Sequence, residues 1–173
     1  MDAYLAIVSK REVRAYADRP LPDDAVRRLL EAGRIAGSSR NRQARRFVVL
    51  RDHALLERAA RAVYSPDNLL GAPLAVAILV RGKGPTGFDA GRAAQNMMLA
   101  ASNDGIGSCP NGVADPDALA AVLGTGDDEQ VVTVLGFGYP AHPVDPESRT
   151  PQEWIARADR LAFDEVVELR SQR

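Results

Sequence analysis

The stretch APLAVAILV, residues 72–80, is the longest apolar run in the chain. Pro73 introduces it, and Val76, Ile78 and Val80 are β-branched, a composition that is typical of a buried strand. The run is far shorter than the roughly 20 apolar residues that a membrane-spanning helix needs. The sequence therefore predicts a buried strand over residues 74–80 and no membrane span.

Helices and strands alternate on either side of this strand. Residues 22–37 carry apolar side chains at helical spacing, with two aspartates in the first turn and Gly37 at the end. Thr150 and Glu153 have the spacing of a capping box at the start of another helix. The same rules predict further helices over residues 52–63, 89–103 and 150–160, further strands over residues 47–50 and 130–137, and a candidate final strand over residues 163–169.

These elements suit one layered domain. The chain has 173 residues, the usual size of a single domain, and it contains no internal repeat or low-complexity linker. Helices that alternate with a few strands pack as layers on a central sheet. We therefore expect an α+β fold, in an α/β three-layer arrangement, formed by one domain over residues 1–173.

The composition excludes several functional classes. The 22 lysine and arginine residues nearly balance the 23 aspartate and glutamate residues, and the net charge of -1 gives no general attraction for nucleic acid or an anionic membrane. Any anion site must therefore be local. The single cysteine, Cys109, forms no internal disulfide, and it makes no metal-ligand pattern with His53 and His142. These residues therefore predict no metal site. The start of the chain, MDA, opens no signal segment, so we expect a cytoplasmic protein.

A glycine motif follows the last valine-rich strand. Gly136, Gly138 and Ala141 match the G-x-G-x-x-A dinucleotide fingerprint, which requires a helix to begin at the third small residue. Pro140 and Pro143 deny the motif that helix. The sequence therefore favours a tight turn after a strand over a Rossmann site.

Two clusters of basic residues remain. Residues 10–14, KREVR, hold three cations that can clamp a phosphate or form a solvated helix end, and the residues alone favour the solvated end. Residues 38–46, SSRNRQARR, place hydroxyls and amides directly after a helix, where they can bind the edge of a heterocycle or form an ordinary polar loop. A nucleic-acid patch is disfavoured because no aromatic residues are interleaved with the arginines.

Five short segments follow one another in a recognisable order. They are KREVRAY (residues 10–16), AGSSRNRQARRF (36–47), DAGRAAQNMMLAA (89–101), GIGSC (105–109) and GFGYP (136–140). No single segment is specific, but their order resembles the nitroreductase family of flavin mononucleotide (FMN) enzymes, from Ala3 to about Leu169. The resemblance implies a central mixed sheet flanked by helices, in an intertwined homodimer with FMN at each subunit interface.

The resemblance distributes the flavin contacts over separate segments. It implies that Lys10 faces the FMN phosphate and that Arg14 faces the pyrimidine edge, where a cation stabilises negative charge. Residues 38–41 come from the other subunit, and the backbone at residues 111–112 approaches the reactive flavin nitrogen. The implied cofactor-binding set is Lys10, Arg11, Glu12, Arg14, Ser38, Ser39, Asn41, Asn68 near the pyrimidine, Asn111, Gly112, and Arg157 or Arg160 near the phosphate.

The resemblance also implies an activity. In the family, NAD(P)H reduces FMN by hydride transfer and leaves before an oxidant such as a nitroaromatic or a quinone enters, which gives ping-pong kinetics. We therefore expect no catalytic side chain and interpret Cys109 as a small buried residue. The four arginines over residues 38–46 suggest an anionic substrate or the phosphate of NADPH. The oxidant, the choice between NADH and NADPH, and the use of a deazaflavin stay open at this stage.

Departures from the family pattern keep three alternatives open. Glu12 replaces a common serine and would repel a phosphate, Ala44-Arg45 replaces Pro-Trp, and the short turn after Arg81 leaves no room for a lid. These features also suit an FMN storage or sensing protein without efficient turnover, or a flavin-fragmenting enzyme similar to dimethylbenzimidazole synthase. A small α/β domain that binds only a protein partner is the third alternative.

Overall fold

Helices and strands alternate along residues 2–170, the part of the chain that the computed structural model describes. The helices are α1 Ala3–Ser9, α2 Asp23–Arg34, α3 His53–Ala60, α4 Asp67–Leu70, α5 Thr86–Asn103, α6 Pro116–Leu123, α7 Pro151–Ala156 and α8 Phe163–Val166. The strands are β1 Arg45–Leu50, β2 Leu74–Arg81, β3 Gly107–Asn111 and β4 Glu129–Gly138. Short 3-10 turns cover Ser39–Asn41 and Pro146–Ser148.

The four strands form one sheet in the order β1-β2-β4-β3, and all three neighbouring pairs are antiparallel. Strand β2 lies in the interior of the sheet, between β1 and β4. Within residues 2–170, the parallel pairing is the isolated bridge between Glu12 and Ser108, which attaches the N-terminal segment to β3. The sheet is therefore mixed only through this bridge.

Strand β2 is buried on both faces. Alternate residues from Leu74 to Val80 belong to a core that also contains residues of α2 and α5. The residues between them belong to a second core with residues of α3 and α6. Because helices cover both faces of the sheet, the expected three-layer α+β fold is confirmed. No helix within residues 2–170 combines the length and the apolar character of a membrane span.

The predicted strands and helices are present with small changes at their ends. The strands predicted over residues 47–50, 74–80 and 130–137 correspond to β1, β2 and β4. The four predicted helices correspond to α2, α3, α5 and α7, of which α7 ends earlier than expected, at Ala156. Thr150 and Glu153 form the predicted capping box.

The predicted final strand over residues 163–169 is wrong. Phe163–Val166 is a short helix, and Phe163, Val166 and Leu169 are exposed. The Glu165 carboxylate accepts the Ala162 N–H at 2.7 Å, an interaction that favours the start of a helix. An apolar run becomes a strand only where a neighbouring strand and a core receive it, and these residues have neither.

The predicted tight turn at the glycine motif is also wrong, because Gly136 and Gly138 lie inside β4. A Cβ on Gly138 would lie 2.7 Å from Pro73 Cδ and 2.8 Å from Tyr16 Cδ1. The motif therefore serves close packing of Pro73 and the Tyr16 ring against the strand.

Sequence analysis missed several short elements, namely α1, α4, α6 and β3. Strand β3 has the sequence GSCPN, which carries neither an apolar run nor an alternating pattern. Its exposed Pro110 is compatible with an edge strand, since the outer side of an edge strand needs no backbone donor. Pairing with β4, not local propensity, makes this segment a strand.

The ion pair between Arg46 of β1 and Glu129 of β4 predicts how stability depends on pH. The Arg46 guanidinium and the Gly126 N–H both donate to the carboxylate, which lowers the pKa of Glu129 to about 2 from its ordinary 4.5. This stabilisation is fully present above pH 4.5 and is lost as the pH falls toward 2. We expect Glu129→Gln to flatten the loss of stability over that range.

Urea unfolding at pH 7, 4.5 and 3 measures this dependence for the wild type and Glu129→Gln. The matched control is Glu31→Gln, which removes a carboxylate from an exposed pair with Arg34 on one helix. Identical slopes of stability against pH in the wild type and Glu129→Gln would contradict the assignment.

Candidate functional site

The segment over residues 10–16 lies across the edge of the sheet. The Val13 N–H donates to the Ser108 carbonyl at 3.0 Å, and the Ala17 N–H donates to the Tyr139 carbonyl at 2.8 Å. A Cβ on Gly107 would lie 2.6 Å from Val13 Cβ, so only glycine allows the segment to lie this close to β3. These contacts fix the basic residues of the segment relative to the sheet.

A cleft of about 310 Å³ opens beside this segment. Its wall includes Trp154, His142 and prolines of the stretch that follows β4. No carboxylate within residues 2–170 lines the cleft, whereas four cationic side chains do: Lys10, Arg11, Arg149 and Arg157. This set of ammonium and guanidinium groups is suited to a phosphate or a carboxylate.

The Lys10 side chain is buried and already has an anionic partner. Its side chain is 8% exposed, and its amine donates to Glu12 Oε1 at 2.6 Å. The same amine lies 3.5 Å from Met98 Sδ of α5. Glu12 therefore neutralises Lys10, and an anion that binds to Lys10 must compete with this carboxylate.

Arg11 joins α1 to α7. Its guanidinium donates to the carbonyls of Val8, Lys10 and Trp154 at 2.7, 2.9 and 2.8 Å. It lies 5.3 Å from the centroid of the Trp154 ring, and Arg149 lies 4.8 Å from the same centroid. Arg11 thus uses its donors to hold the wall of the cleft together, while Arg149 is the better placed of the two for a ligand.

Two buried hydroxyl groups also belong to the cleft. Ser9 and Ser108 are 8% and 1% exposed, and both line the cleft. Within residues 2–170, neither hydroxyl has a hydrogen-bond partner. A buried polar group without a partner is costly, so these hydroxyls are candidates for hydrogen bonds to a ligand.

The C-terminal arginines differ in where they lie. Arg157 lines the cleft, whereas Arg160 donates to the Ala158 carbonyl at 2.7 Å and is not part of the cleft wall. Sequence analysis missed Arg149, because it lies in a proline-rich connection without periodicity. Its position directly before the Thr150 capping box is the signal that points to it.

Arg14 lies on the exposed side of the segment, near two buried titratable groups. Burial, followed by the charge of Glu12, raises the pKa of the Cys109 thiol, and the nearby Arg14 lowers it by less. Burial, followed by Cys109, raises the pKa of the Tyr16 hydroxyl. Both groups are therefore protonated at neutral pH.

The end of β3 presents backbone instead of side chains. Asn111 is 3% exposed, and its amide nitrogen donates to the carbonyls of Cys109 and Val134 at 3.1 and 3.0 Å, while its Oδ1 has no hydrogen-bond partner within residues 2–170. Gly112 is exposed, and its carbonyl accepts the Tyr64 N–H at 3.1 Å. A ligand can therefore approach the chain closely at Gly112.

Tyr64, which the sequence analysis missed, is an exposed aromatic residue beside Gly112. Its side chain is 76% exposed, and a Cβ on Gly112 would lie 3.0 Å from Tyr64 Cδ2. Asn68, half-buried on α4, follows in the same connection. An exposed ring in this position can stack on a planar ligand. Tyr64 directly follows the isolated bridge at Val63 and belongs to no helix or strand. No periodic pattern in the sequence therefore marks it.

Ser38, Ser39 and Asn41 lie on a loop at the other end of α5. The Ser39 N–H donates to Asp89 Oδ2 at 2.9 Å, whereas Lys10 contacts Met98 of the same helix. Asp89 and Met98 are about 13 Å apart along the helix axis. One chain therefore holds the loop and the basic segment at separate places on α5.

The comparisons with known proteins agree with this architecture. The model of the nitroreductase family matches residues 7–77 and 81–139. A protein of Archaeoglobus fulgidus, provisionally named an NADH dehydrogenase/NAD(P)H nitroreductase, is 31% identical over 144 residues, which are 78% of this chain and 83% of the relative. An NADH dehydrogenase of Thermus thermophilus is 24% identical over an alignment of 194 positions, which covers 90% of this chain and 95% of the relative.

Solved structures share the fold. A nitroreductase family protein of Clostridium difficile superposes with a TM-score of 0.84 at 23% identity, covering 99% of this chain and 100% of that one. A protein of Desulfovibrio desulfuricans, provisionally named a nitroreductase and crystallised with FMN, gives a TM-score of 0.81 at 24% identity, covering 100% and 99%. At these identities the likeness is evidence for the fold alone.

The contact between Val13 and Gly107 predicts a cost for any side chain at Gly107. In Gly107→Ala the new Cβ displaces the stiff Val13 side chain and the segment that carries it, and we expect a loss of about 1–3 kcal/mol of stability in urea unfolding. The control is Gly71→Ala, whose Cβ would lie 3.9 Å from Tyr16 Cδ2, an ordinary contact. Equal stability of Gly107→Ala and the wild type would refute the role of this contact.

Proposed function

The chain belongs to the nitroreductase family, and we propose that it is an FMN-dependent oxidoreductase that uses NAD(P)H to reduce nitroaromatic, quinone or similar acceptors in ping-pong order. The family and the names of the curated relatives support a nitroreductase-like oxidoreductase. The redox chemistry, hydride uptake from NAD(P)H followed by two-electron reduction of the acceptor, is supplied by FMN when it is bound.

The cationic cleft is the observation that carries this proposal. A phosphate monoester needs several hydrogen-bond donors, and Lys10, Arg149 and Arg157 line the cleft, where Glu12 competes for Lys10 alone. The unpartnered hydroxyls of Ser9 and Ser108 add two more hydrogen-bonding groups. The donors present therefore fit the FMN phosphate, and Arg11 holds the wall in place through its backbone contacts.

The exposed residues beyond the cleft suit the ring system. We assign Arg14 to the pyrimidine edge, where its cation favours negative charge, and the backbone at Gly112 to the reactive edge. Asn68 is assigned to the pyrimidine as well. Tyr64 stands beside Gly112, where its exposed ring can pack on a planar substrate and exclude water.

Glu12 sets the affinity of the phosphate site. Its carboxylate lies 2.6 Å from the Lys10 amine, so the phosphate either displaces Glu12 or shares Lys10 with it. Sharing places two anions around one amine, which costs energy that the arginines of the cleft must offset. We therefore expect FMN to bind less tightly here than it would with an uncharged residue at position 12.

The loop with Ser38, Ser39 and Asn41 belongs to the same site in a homodimer. Within one chain, this loop lies at the opposite end of α5 from the basic segment. In our proposal the loop of one subunit reaches the flavin held by residues 10–14 of its partner. Each of the two sites then contains residues of both chains.

An absorption spectrum of the purified protein, with and without added FMN, tests the function. We expect a protein-bound flavin band that bleaches on anaerobic addition of NADPH or NADH and returns when a nitroaromatic or a quinone is added. A bound band that persists with both donors would favour the storage or sensing alternative. A protein that stays colourless after FMN is added would reject the cofactor assignment.

Mixing two variants with weakened FMN binding, at an FMN concentration that loads the wild type but leaves each variant largely without flavin, tests the shared site. Arg14→Ala and Asn41→Ala should each weaken FMN binding roughly 10-fold or more, because each removes a polar contact to the flavin, and Arg14→Ala should also slow reduction by NAD(P)H. After subunit exchange, a mixed dimer has one site with both changes and one intact site. An equal mixture should therefore regain about a quarter of the wild-type activity.

The control mixes Arg14→Ala with Arg14→Gln, a pair that leaves no intact site in any dimer. If the mixture of Arg14→Ala with Asn41→Ala gains no more activity than this control after exchange, the two residues act within one chain or Asn41 has no role.

A further inference from the structure

The structure separates the four arginines of residues 38–46 into two pairs. Arg45 is half-buried and donates to the carbonyls of Arg34 and Ala36, at the C-terminal end of α2. Arg46 donates through two nitrogens to Glu129. These two guanidinium groups serve the fold. The other pair, Arg40 and Arg42, is exposed, and within residues 2–170 neither forms an ion pair with a carboxylate.

A second segment brings another cation to this pair. Arg42 Nη1 donates to the carbonyl of Lys83, in the turn between β2 and α5, at 2.8 Å. A Cβ on Gly84 would lie 2.5 Å from the same nitrogen, so glycine makes room for the guanidinium over the turn. Lys83 is exposed and also has no carboxylate partner among the described residues. Arg42 and Lys83 thus lie together although they are far apart in sequence, and Arg40 lies on the same loop as Arg42; we call these three residues the Arg40–Arg42–Lys83 cluster.

The loop that carries Arg40 and Arg42 is held in an unfavourable conformation. Arg40, Asn41 and Gln43 each have a backbone φ angle of 52°, in the left-handed region that arginine and glutamine seldom adopt. The Ser38 hydroxyl accepts the Gln43 N–H, and Asp89 accepts the Ser39 N–H, so two side chains fix the loop. Backbone strain of this kind concentrates at functional sites, where it positions side chains.

The neighbouring charges favour an anion. Arg92 of α5 adds a further cation where its guanidinium reaches Gly37, at the start of the loop, since a Cβ there would lie 2.7 Å from Arg92 Nη2. Asp89 is the nearby acid, and it is occupied by the Ser39 N–H. The whole chain has a net charge of -1, so this local excess of positive charge is not part of a generally basic surface.

We propose that the Arg40–Arg42–Lys83 cluster binds a phosphate monoester of the electron donor, so that the enzyme selects NADPH over NADH. This inference rests on the proposed function, because the loop carries Ser39 and Asn41, which we place at the flavin of the partner subunit. The 2′-phosphate is the group by which NADPH differs from NADH. Guanidinium groups bind such a dianion through paired hydrogen bonds, whereas NADH offers only an uncharged hydroxyl at this position.

Donor preference and direct phosphate binding test the cluster together. The proteins are the wild type, Arg40→Gln, Arg42→Gln, and the control Arg34→Gln, which removes a nearby cation that already has Glu31 as its partner. We expect the wild type to prefer NADPH, and each cluster variant to lose roughly 10-fold or more of kcat/KM for NADPH, with NADH nearly unchanged. Arg34→Gln should resemble the wild type with both donors.

Calorimetric titration with adenosine 2′,5′-bisphosphate and with adenosine 5′-monophosphate gives a readout that needs no turnover. The bisphosphate should bind more tightly than the monophosphate to the wild type, and the cluster variants should lose this difference. If neither donor bleaches the flavin, the proposed function fails, and this titration still decides the phosphate site.

Four outcomes would overturn the inference. A wild type that prefers NADH, or equal losses for NADPH and NADH in the cluster variants, excludes recognition of the 2′-phosphate. Losses with a nitrobenzoate but not with nitrobenzene as acceptor, at an unchanged donor preference, would assign the cluster to an anionic oxidant. Equal affinity of the wild type for both adenosine phosphates would also contradict the proposal.

Discussion

The burial of strand β2 on both faces is the constraint on which the rest of the molecule depends. Antiparallel sheets commonly leave one face to water and then alternate apolar and polar residues. Here every residue from Leu74 to Val80 is buried, so each face of the sheet requires its own layer of helices. Helices α2 and α5 meet one face, and α3 and α6 meet the other. The three layers follow from this one strand.

The candidate site lies where this covered sheet ends. Strand β3 is an edge, and the N-terminal segment attaches to it through the bridge between Glu12 and Ser108. Val13 and Tyr16 pack against Gly107 and Gly138, and because these glycines lack side chains, the segment lies directly against the sheet. The cations of the segment are consequently positioned by backbone contacts. An anion site built in this way is local, as the balanced charge of the chain requires.

Sequence patterns predicted those parts of the fold whose signal is local. The apolar run of β2, the small and apolar residues of α5, and the capping box at Thr150 each determine a structure by themselves. Strand β3 has no such signal, because the backbone of β4 makes it a strand. The exposed apolar residues from Phe163 to Leu169 gave a false signal for the opposite reason. Their composition suits a strand, but no neighbouring strand receives them.

The candidate site was predictable as a set of segments but not as an arrangement. Motif order suggested Lys10 and Ser39 as site residues, yet it could not reveal that they contact α5 at points about 13 Å apart along its axis. Arg149 lines the cleft with its guanidinium over the Trp154 ring, a contact that no sequence pattern indicates. The strained loop and the cationic cleft are both fixed to one rigid helix, α5, near its two ends. A small movement within one chain therefore does not bring them together. In the homodimer that we propose, a second copy related by a twofold axis would bring the loop of one subunit to the cleft of the other without any such movement.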